Sequence, residues 1–198
     1  MNATSESPAD WKLPSPRKLG ILTLIVGESA LFTIFVVAYL FYMGKSLNGP
    51  YPHEVLDFPW LGSIALFSSS ATIILAERAW RSGNRLGFIF FWGLTFALGA
   101  YFVYFTGEEW STLIFEKNLT LTTNTFGTTF YSLVGLHAFH VIVGLFLLAG
   151  ILIAAIRNRL HTDHTEHMEA ISYYWHFVDC IWIVVLTVVY ILSVRPTP

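Results

Sequence analysis

Five apolar stretches, each long enough to cross a bilayer, constrain this chain more than any other feature of its sequence. They lie at about residues 19–43, 58–80, 86–106, 126–156 and 173–194, and a spanning helix needs about 20 such residues. Only 12% of the 198 residues are charged, which is too few to cover a soluble surface. Because unpaired backbone groups are costly in lipid, each stretch should be helical. We therefore predict an all-α integral membrane bundle of five transmembrane helices.

The lysine and arginine residues in the loops predict how this bundle is oriented. With the N-terminus inside, eight basic side chains face the inner side and three face the outer side. The inner set is Lys12, Arg17, Lys18, Arg78, Arg81, Arg85, Arg157 and Arg159, and the outer set is Lys45, Lys117 and Arg195. This bias predicts a cytoplasmic N-terminus and a C-terminus outside. Residues 1–18, polar and proline-containing, are predicted to form a flexible cytoplasmic arm, and residues 19–198 a single membrane domain.

A single acid, Glu28, interrupts the first apolar stretch. An ionised acid in mid-membrane costs roughly 2.5–3.5 kcal/mol on insertion scales. The neighbours on its own helix face are apolar and cannot pair with a carboxylate. Glu28 must therefore be protonated or find a partner on another helix, and it serves either a function or the locking of helices.

Two further pairs of polar residues lie within the later stretches. His137 and His140 are three residues apart in the fourth stretch, and His176 and Asp179 are three apart in the fifth. Residues at this spacing share a helix face, so His176 and Asp179 could hydrogen-bond to each other. With Glu28, these four side chains are predicted to form a polar layer in the inner half of the membrane. Trp175 is predicted to anchor the inner end of the fifth helix at the lipid interface.

Metal or haem ligation is an alternative for the histidines, but interhelical hydrogen bonds are the commoner use of such a pair. The run "HTDHTEH", with His161, His164 and His167, could also hold a metal, although we favour a solvated loop. We predict no metal site and no catalytic residue.

The small residues of the second stretch favour close helix packing over a polar pathway; they include the pairs Ala65 with Ser69 and Ser68 with Thr72.

Several sequence segments resemble those of a known protein family. "GESALFTIFVVAY", "GNRLG", "FGTTFYSLVGLHAFHVIVG" and "YYWHFVDCIWIVVLTVVYIL" occur in that order. Together with the small-residue second stretch, they closely resemble subunit III of haem–copper oxidases. The resemblance covers nearly the whole chain.

The resemblance implies a subunit without haem or copper in a respiratory oxidase that reduces dioxygen to water and pumps protons. Haem and copper are then expected on partner subunits. Such a subunit docks directly on subunit I, beside subunit II and other respiratory subunits, in the bacterial cytoplasmic membrane. It binds phospholipid, supports proton uptake into subunit I and protects the complex from inactivation during turnover.

The resemblance also implies roles for single residues. Glu28 matches the family's carbodiimide-reactive buried acid, and five further residues match its characteristic polar positions: His137, His140, Trp175, His176 and Asp179. One departure is that long family members have seven spans, whereas this chain matches their last five. Lipid contacts made by the first two helices of those members are not expected from this chain.

Other functions remain as alternatives. The electron donor of the oxidase is cytochrome c, which we favour, or a quinol. A proton channel or transporter is expected to have helices broken at mid-membrane. Against this alternative, no proline interrupts the spans after Pro59. A membrane cytochrome is expected to have histidines at matching depths on two helices, whereas His140 is predicted near mid-membrane and His176 near the inner edge. The chain's near-neutral charge of −2 gives no reason to expect nucleic acid as a partner.

Overall fold

The computed structural model describes residues 16–160 and 165–193, with side chains from residue 18 onward. In this part of the chain all regular structure is helical. The five long helices are α1 (Pro16–Tyr42), α3 (Trp60–Arg81), α4 (Arg85–Phe115), α5 (Thr125–Ile156) and α6 (Thr165–Val185), and a short α2 (Pro52–Val55) lies in the α1–α3 loop. A π-helical segment, Leu186–Leu192, continues α6. All five long helices are long and apolar enough to cross a membrane, as predicted.

Three of the helices begin or end beyond the predicted spans. The first begins at Pro16, where a proline suits the first helical position because its missing N–H would have no partner there. Helix α4, which corresponds to the third predicted span, runs to Phe115, because Gly107 and the two acids after it continue the helix. The last begins at Thr165, eight residues before the predicted start at 173. Residues 1–15 of the predicted arm lie outside the described residues.

Ion pairs explain the early start of α6. Glu169 Oε2 lies 3.0 Å from Lys18 Nζ on α1, and its Oε1 lies 3.3 Å from Arg81 on α3. One turn earlier, Thr165 accepts a hydrogen bond from Trp80 Nε1 at 3.0 Å. The charged first turns of α6 are therefore held against two neighbouring helices, which a reading by hydropathy alone does not anticipate.

Helix α6 lies at the centre of the bundle and α1 at its edge. In the most apolar window of each helix, 56% of α6 residues are buried against 6% for α1. Trp175 on α6 is fully buried and lies between two glycines. A Cβ on Gly99 of α4 would lie 2.6 Å from its ring, and one on Gly144 of α5 would lie 2.8 Å away. The two glycines thus make the space that the indole fills.

Tryptophan N–H groups join the helices across this core. Trp175 Nε1 donates to Ser69 Oγ on α3 at 2.8 Å, and one heptad later Trp182 donates to Ser63 Oγ at 3.1 Å. The paired hydroxyls of Thr72 and Thr95, 2.8 Å apart, join α3 to α4. The small residues of α3 therefore pack closely, as predicted, but they also act as hydrogen-bond partners. Ser68 is exposed and takes no part in this packing.

Helix α1 contacts α5 and α6 through one stripe of its surface. Glu28, Phe32, Phe35 and Tyr39 follow one another at intervals of four, three and four residues, which places them on one face. Phe32 and Tyr39 are each 2% exposed, and Tyr39 donates to Ser193 Oγ at 3.0 Å. Most of the remaining apolar surface of α1 faces away from the bundle.

Candidate functional site: two polar contacts between helices

Glu28 of α1 pairs with His140 of α5. Glu28 Oε2 lies 3.1 Å from His140 Nε2, with 28% of the glutamate side chain and 7% of the histidine side chain exposed. Phe32 packs on the imidazole with ring centroids 4.9 Å apart. Of the two alternatives that the sequence left for Glu28, protonation or a partner on another helix, the structure supplies the partner.

The second ring nitrogen of His140 fixes the proton count of this pair. Nδ1 lies 2.8 Å from the carbonyl oxygen of Leu136. A carbonyl oxygen only accepts, so Nδ1 must carry a hydrogen. One proton then lies between Glu28 Oε2 and His140 Nε2, giving either two neutral groups or a carboxylate–imidazolium pair. The contact is a hydrogen bond with balanced charge in both cases.

The second contact joins α3 to α6 through Ser70, whose role the sequence did not predict. Ser70 Oγ lies 3.1 Å from His176 Nδ1 and donates to Asp179 Oδ2. Asp179 is 4% exposed, and its other oxygen, Oδ1, has no hydrogen-bond partner. The spacing of His176 and Asp179 allows a direct hydrogen bond, but in the structure Ser70 bridges them. We call these three residues the α3–α6 cluster.

This geometry differs from that of a hydrolytic serine–histidine–aspartate triad. In such a triad the aspartate orients the histidine, and the histidine takes the proton of the serine. Here the serine hydroxyl lies between the other two side chains, and Asp179 contacts Ser70 instead of the imidazole. The cluster is therefore not arranged as a hydrolytic triad, and its serine hydroxyl joins α3 to α6.

His137 lies in the core, apart from both contacts. Its imidazole is fully buried, stacks on Trp182 with ring centroids 4.8 Å apart and meets the edge of Phe102. Neither ring nitrogen has a hydrogen-bond partner. The predicted single polar layer is thus divided into two contacts and one isolated histidine.

The prediction of an interfacial Trp175 is wrong. The indole is fully buried among α3, α4 and α5. A tryptophan near the end of an apolar run is typical of an aromatic belt, but α6 begins at Thr165, so Trp175 lies in its third turn. The two glycines that receive it are on other helices, which no local pattern reveals.

No group of three or more histidine, cysteine, aspartate or glutamate side chains within the described ranges could hold a metal ion. His161 and His164 lie outside those ranges. His167, predicted to lie in a solvated loop, is in the first turn of α6, so the loop interpretation is wrong at this residue because the helix starts earlier.

One signal for the missed residues was present in the sequence. Ser63, Ser70 and Glu77 are spaced seven apart on α3, so they form a polar stripe along one face. Ser63 and Ser70 on this stripe bond to α6. Glu109 of α4 is a further missed acid, because the predicted span ended at residue 106; it accepts a hydrogen bond from Tyr190 at 3.0 Å.

Comparison with known proteins places this bundle in a family. The family model described as cytochrome c oxidase subunit III matches residues 12–194. A cytochrome c oxidase subunit 3 of Synechocystis is 36% identical, covering 90% of this chain and 77% of the relative. One of Alkalihalophilus pseudofirmus is 30% identical over 89% of this chain and 86% of the relative. One of Bacillus subtilis is 29% identical over 94% and 92% respectively. The chain belongs to the cytochrome c oxidase subunit III family and is a subunit III of a terminal oxidase.

Proposed function

We propose that this chain is the non-redox subunit III of a proton-translocating oxidase in a bacterial cytoplasmic membrane, docked directly on subunit I. The oxidase reduces dioxygen to water with haem and copper carried by its other subunits. This chain stabilises subunit I, holds phospholipid beside it and supports proton uptake. The observation that carries the proposal is the pairing of Glu28 with His140 inside a bundle of this family.

The contacts of the histidines support a role without redox chemistry. Both ring nitrogens of His140 are hydrogen-bonded, and Nδ1 of His176 is engaged by Ser70. A haem iron bound at His140 would have to displace one of that residue's two contacts. His137 has free nitrogens, but Trp182 covers its face and Phe102 its edge, so a macrocycle would require the core to open.

The surface of α1 supports docking in the membrane. Large apolar side chains along its length face outward, among them Val26, Ile34, Val37 and Phe41, each more than half exposed. A face of this kind suits lipid chains or the helices of another subunit. We propose that both cover this chain in the complex.

Cytochrome c is the electron donor we propose, because the relatives are named as subunits of cytochrome c oxidases. A quinol oxidase remains the alternative. Oxygen uptake by the purified complex with reduced cytochrome c or with a quinol as the only donor separates the two.

Affinity purification in mild detergent tests the complex. A tag on this chain should recover a larger subunit whose absorption spectrum shows haem, together with bound copper. The matched control is the same preparation after a detergent wash that releases this chain, which should leave the haem with the larger subunit. Haem that follows this chain after the wash would contradict the proposal.

A further inference from the structure

The α3–α6 cluster carries an inference that goes beyond helix packing. Its three polar atoms follow one another in a line: Nδ1 of His176, Oγ of Ser70 and Oδ2 of Asp179. Asp179 is 4% exposed, whereas His176 and Ser70 are partly exposed. The line therefore leads from a side chain within reach of the surroundings to a carboxyl group inside the bundle.

The serine sets the direction of hydrogen bonding along this line, because a hydroxyl has one proton to donate. While Ser70 donates to Asp179, its Oγ accepts from Nδ1–H of His176. In the reversed arrangement Asp179 carries a proton and donates to Ser70, which donates to an unprotonated Nδ1. Both arrangements satisfy the same contacts, so the cluster can exist in either one.

The surroundings favour movement between these two states. No cationic side chain in the described ranges pairs with Asp179, and its Oδ1 has no hydrogen-bond partner. A buried carboxylate without a counter-charge is unfavourable, so a proton on Asp179 relieves it. Burial disfavours a charged imidazole at His176, and the charge of Glu77 on α3 offsets only part of this. Glu28 and His140 are paired on α1 and α5, and His137 faces Trp182.

We propose that Ser70 is the middle of a proton relay that passes protons between His176 and Asp179. Starting from an imidazolium, the Nδ1–H bond of His176 breaks as an O–H bond forms on Ser70. The original O–H bond of Ser70 breaks as one forms on Asp179 Oδ2. The positive and negative charges disappear together, and Ser70 keeps one proton throughout. Because His176 is partly exposed, its Nε2 is the point of exchange with the surroundings.

The relay deepens the proposed support of proton uptake by naming a site that can hold a proton and release it. Infrared spectroscopy of the carboxyl group tests it in the complex purified with its accompanying subunits. The carbonyl stretch of protonated Asp179 is assigned by its loss in D179N. Its shift after transfer to D₂O then gives the rate at which the proton exchanges.

We expect S70A to slow this exchange by about tenfold or more, the factor that corresponds to the loss of one hydrogen bond to a charged group. S70T keeps the hydroxyl and should preserve the wild-type rate. H176N, which can bond to Ser70 but cannot carry the extra proton, should slow exchange as S70A does and serves if S70A does not fold. S68A, which removes an exposed hydroxyl on the same helix, is the matched control.

Two results would overturn the relay. The first is an S70A exchange rate equal to that of wild type and S68A. The second is a D179N spectrum that keeps every protonated carboxyl band of the wild type. Because the measurement reads the carboxyl group itself, the relay can fail while oxidase turnover still depends on this chain. Conversely, an oxidase that stays as fast and as durable without this chain at every pH would refute the proposed function and leave the relay standing.

Discussion

The two polar contacts between helices differ in how they are built. Glu28 and His140 meet directly at the edge of the bundle, on a helix whose most apolar window is 6% buried. Asp179 and His176 both lie on the central helix, α6, and meet through Ser70 of α3. The most apolar window of α6 is 56% buried. The edge contact is complete with two side chains and one backbone carbonyl, whereas the central one needs a third side chain, Ser70 of α3. The edge contact can therefore be perturbed singly, but the central one depends on how α3 and α6 pack.

Removal of Trp175 should produce the largest effect, because it holds the packing on which the central contact depends. We expect W175A to destabilise the chain by about 3–5 kcal/mol, the usual cost of removing a large buried aromatic side chain. Thermal unfolding in detergent measures the loss. W60A, which removes a tryptophan that is 65% exposed, should change stability far less. Equal losses for the two variants would show that Trp175 does not organise the core.

Removal of His140 should break the edge contact and leave the central one intact. We expect H140A to cost about 1–3 kcal/mol, because it leaves the Glu28 carboxyl without a partner. E28Q is the matched variant: its amide can still bond to His140, so it should cost well under half as much. Denaturation of both variants in detergent provides the comparison. If E28Q were as harmful as H140A, the charge of Glu28 and not its hydrogen bond would hold α1.

The Tyr39 end of the α1 stripe should contribute a smaller amount. Y39F removes the hydroxyl that bonds to Ser193 while the ring remains, so we expect a loss of about 0.5–1.5 kcal/mol. Y42F removes an exposed hydroxyl one turn further on and should be neutral. A Y39F protein as stable as Y42F would mean that α1 is held by apolar contacts alone at this end.

The ion pair at the predicted inner end should contribute least. Lys18 Nζ lies 3.0 Å from Glu169, but 41% of the lysine side chain is exposed. Exposed ion pairs contribute about 0.2–1 kcal/mol, and salt screens them. We expect K18A to lower stability only slightly at low salt and to approach wild type at high salt, as followed by thermal unfolding. A cost that is unchanged by salt would show that Lys18 acts through packing.

The sequence was sufficient for what depends on hydropathy along one helix. Five apolar runs predicted five helices, and the isolation of Glu28 among apolar neighbours left it two alternatives, protonation or a partner on another helix. Hydropathy could not place Trp175, because the glycines that receive it lie on α4 and α5. It also missed Ser70, since a serine is ordinary in a packed helix until its neighbours across the interface are known. Charged first turns hid the start of α6, because ion pairs with Lys18 and Arg81 hold them.

The central claim is that this chain supplies support, not oxygen chemistry, to the complex. Oxygen uptake by the oxidase, measured with and without this chain over a range of pH and followed through turnover, tests it most directly. We expect the stripped enzyme to start at nearly the normal rate, to slow as the pH rises and to inactivate during turnover. Restoring the chain should reverse the slowing. Immediate loss of all activity at every pH, or a stripped enzyme as fast and durable as the intact one, would contradict the account.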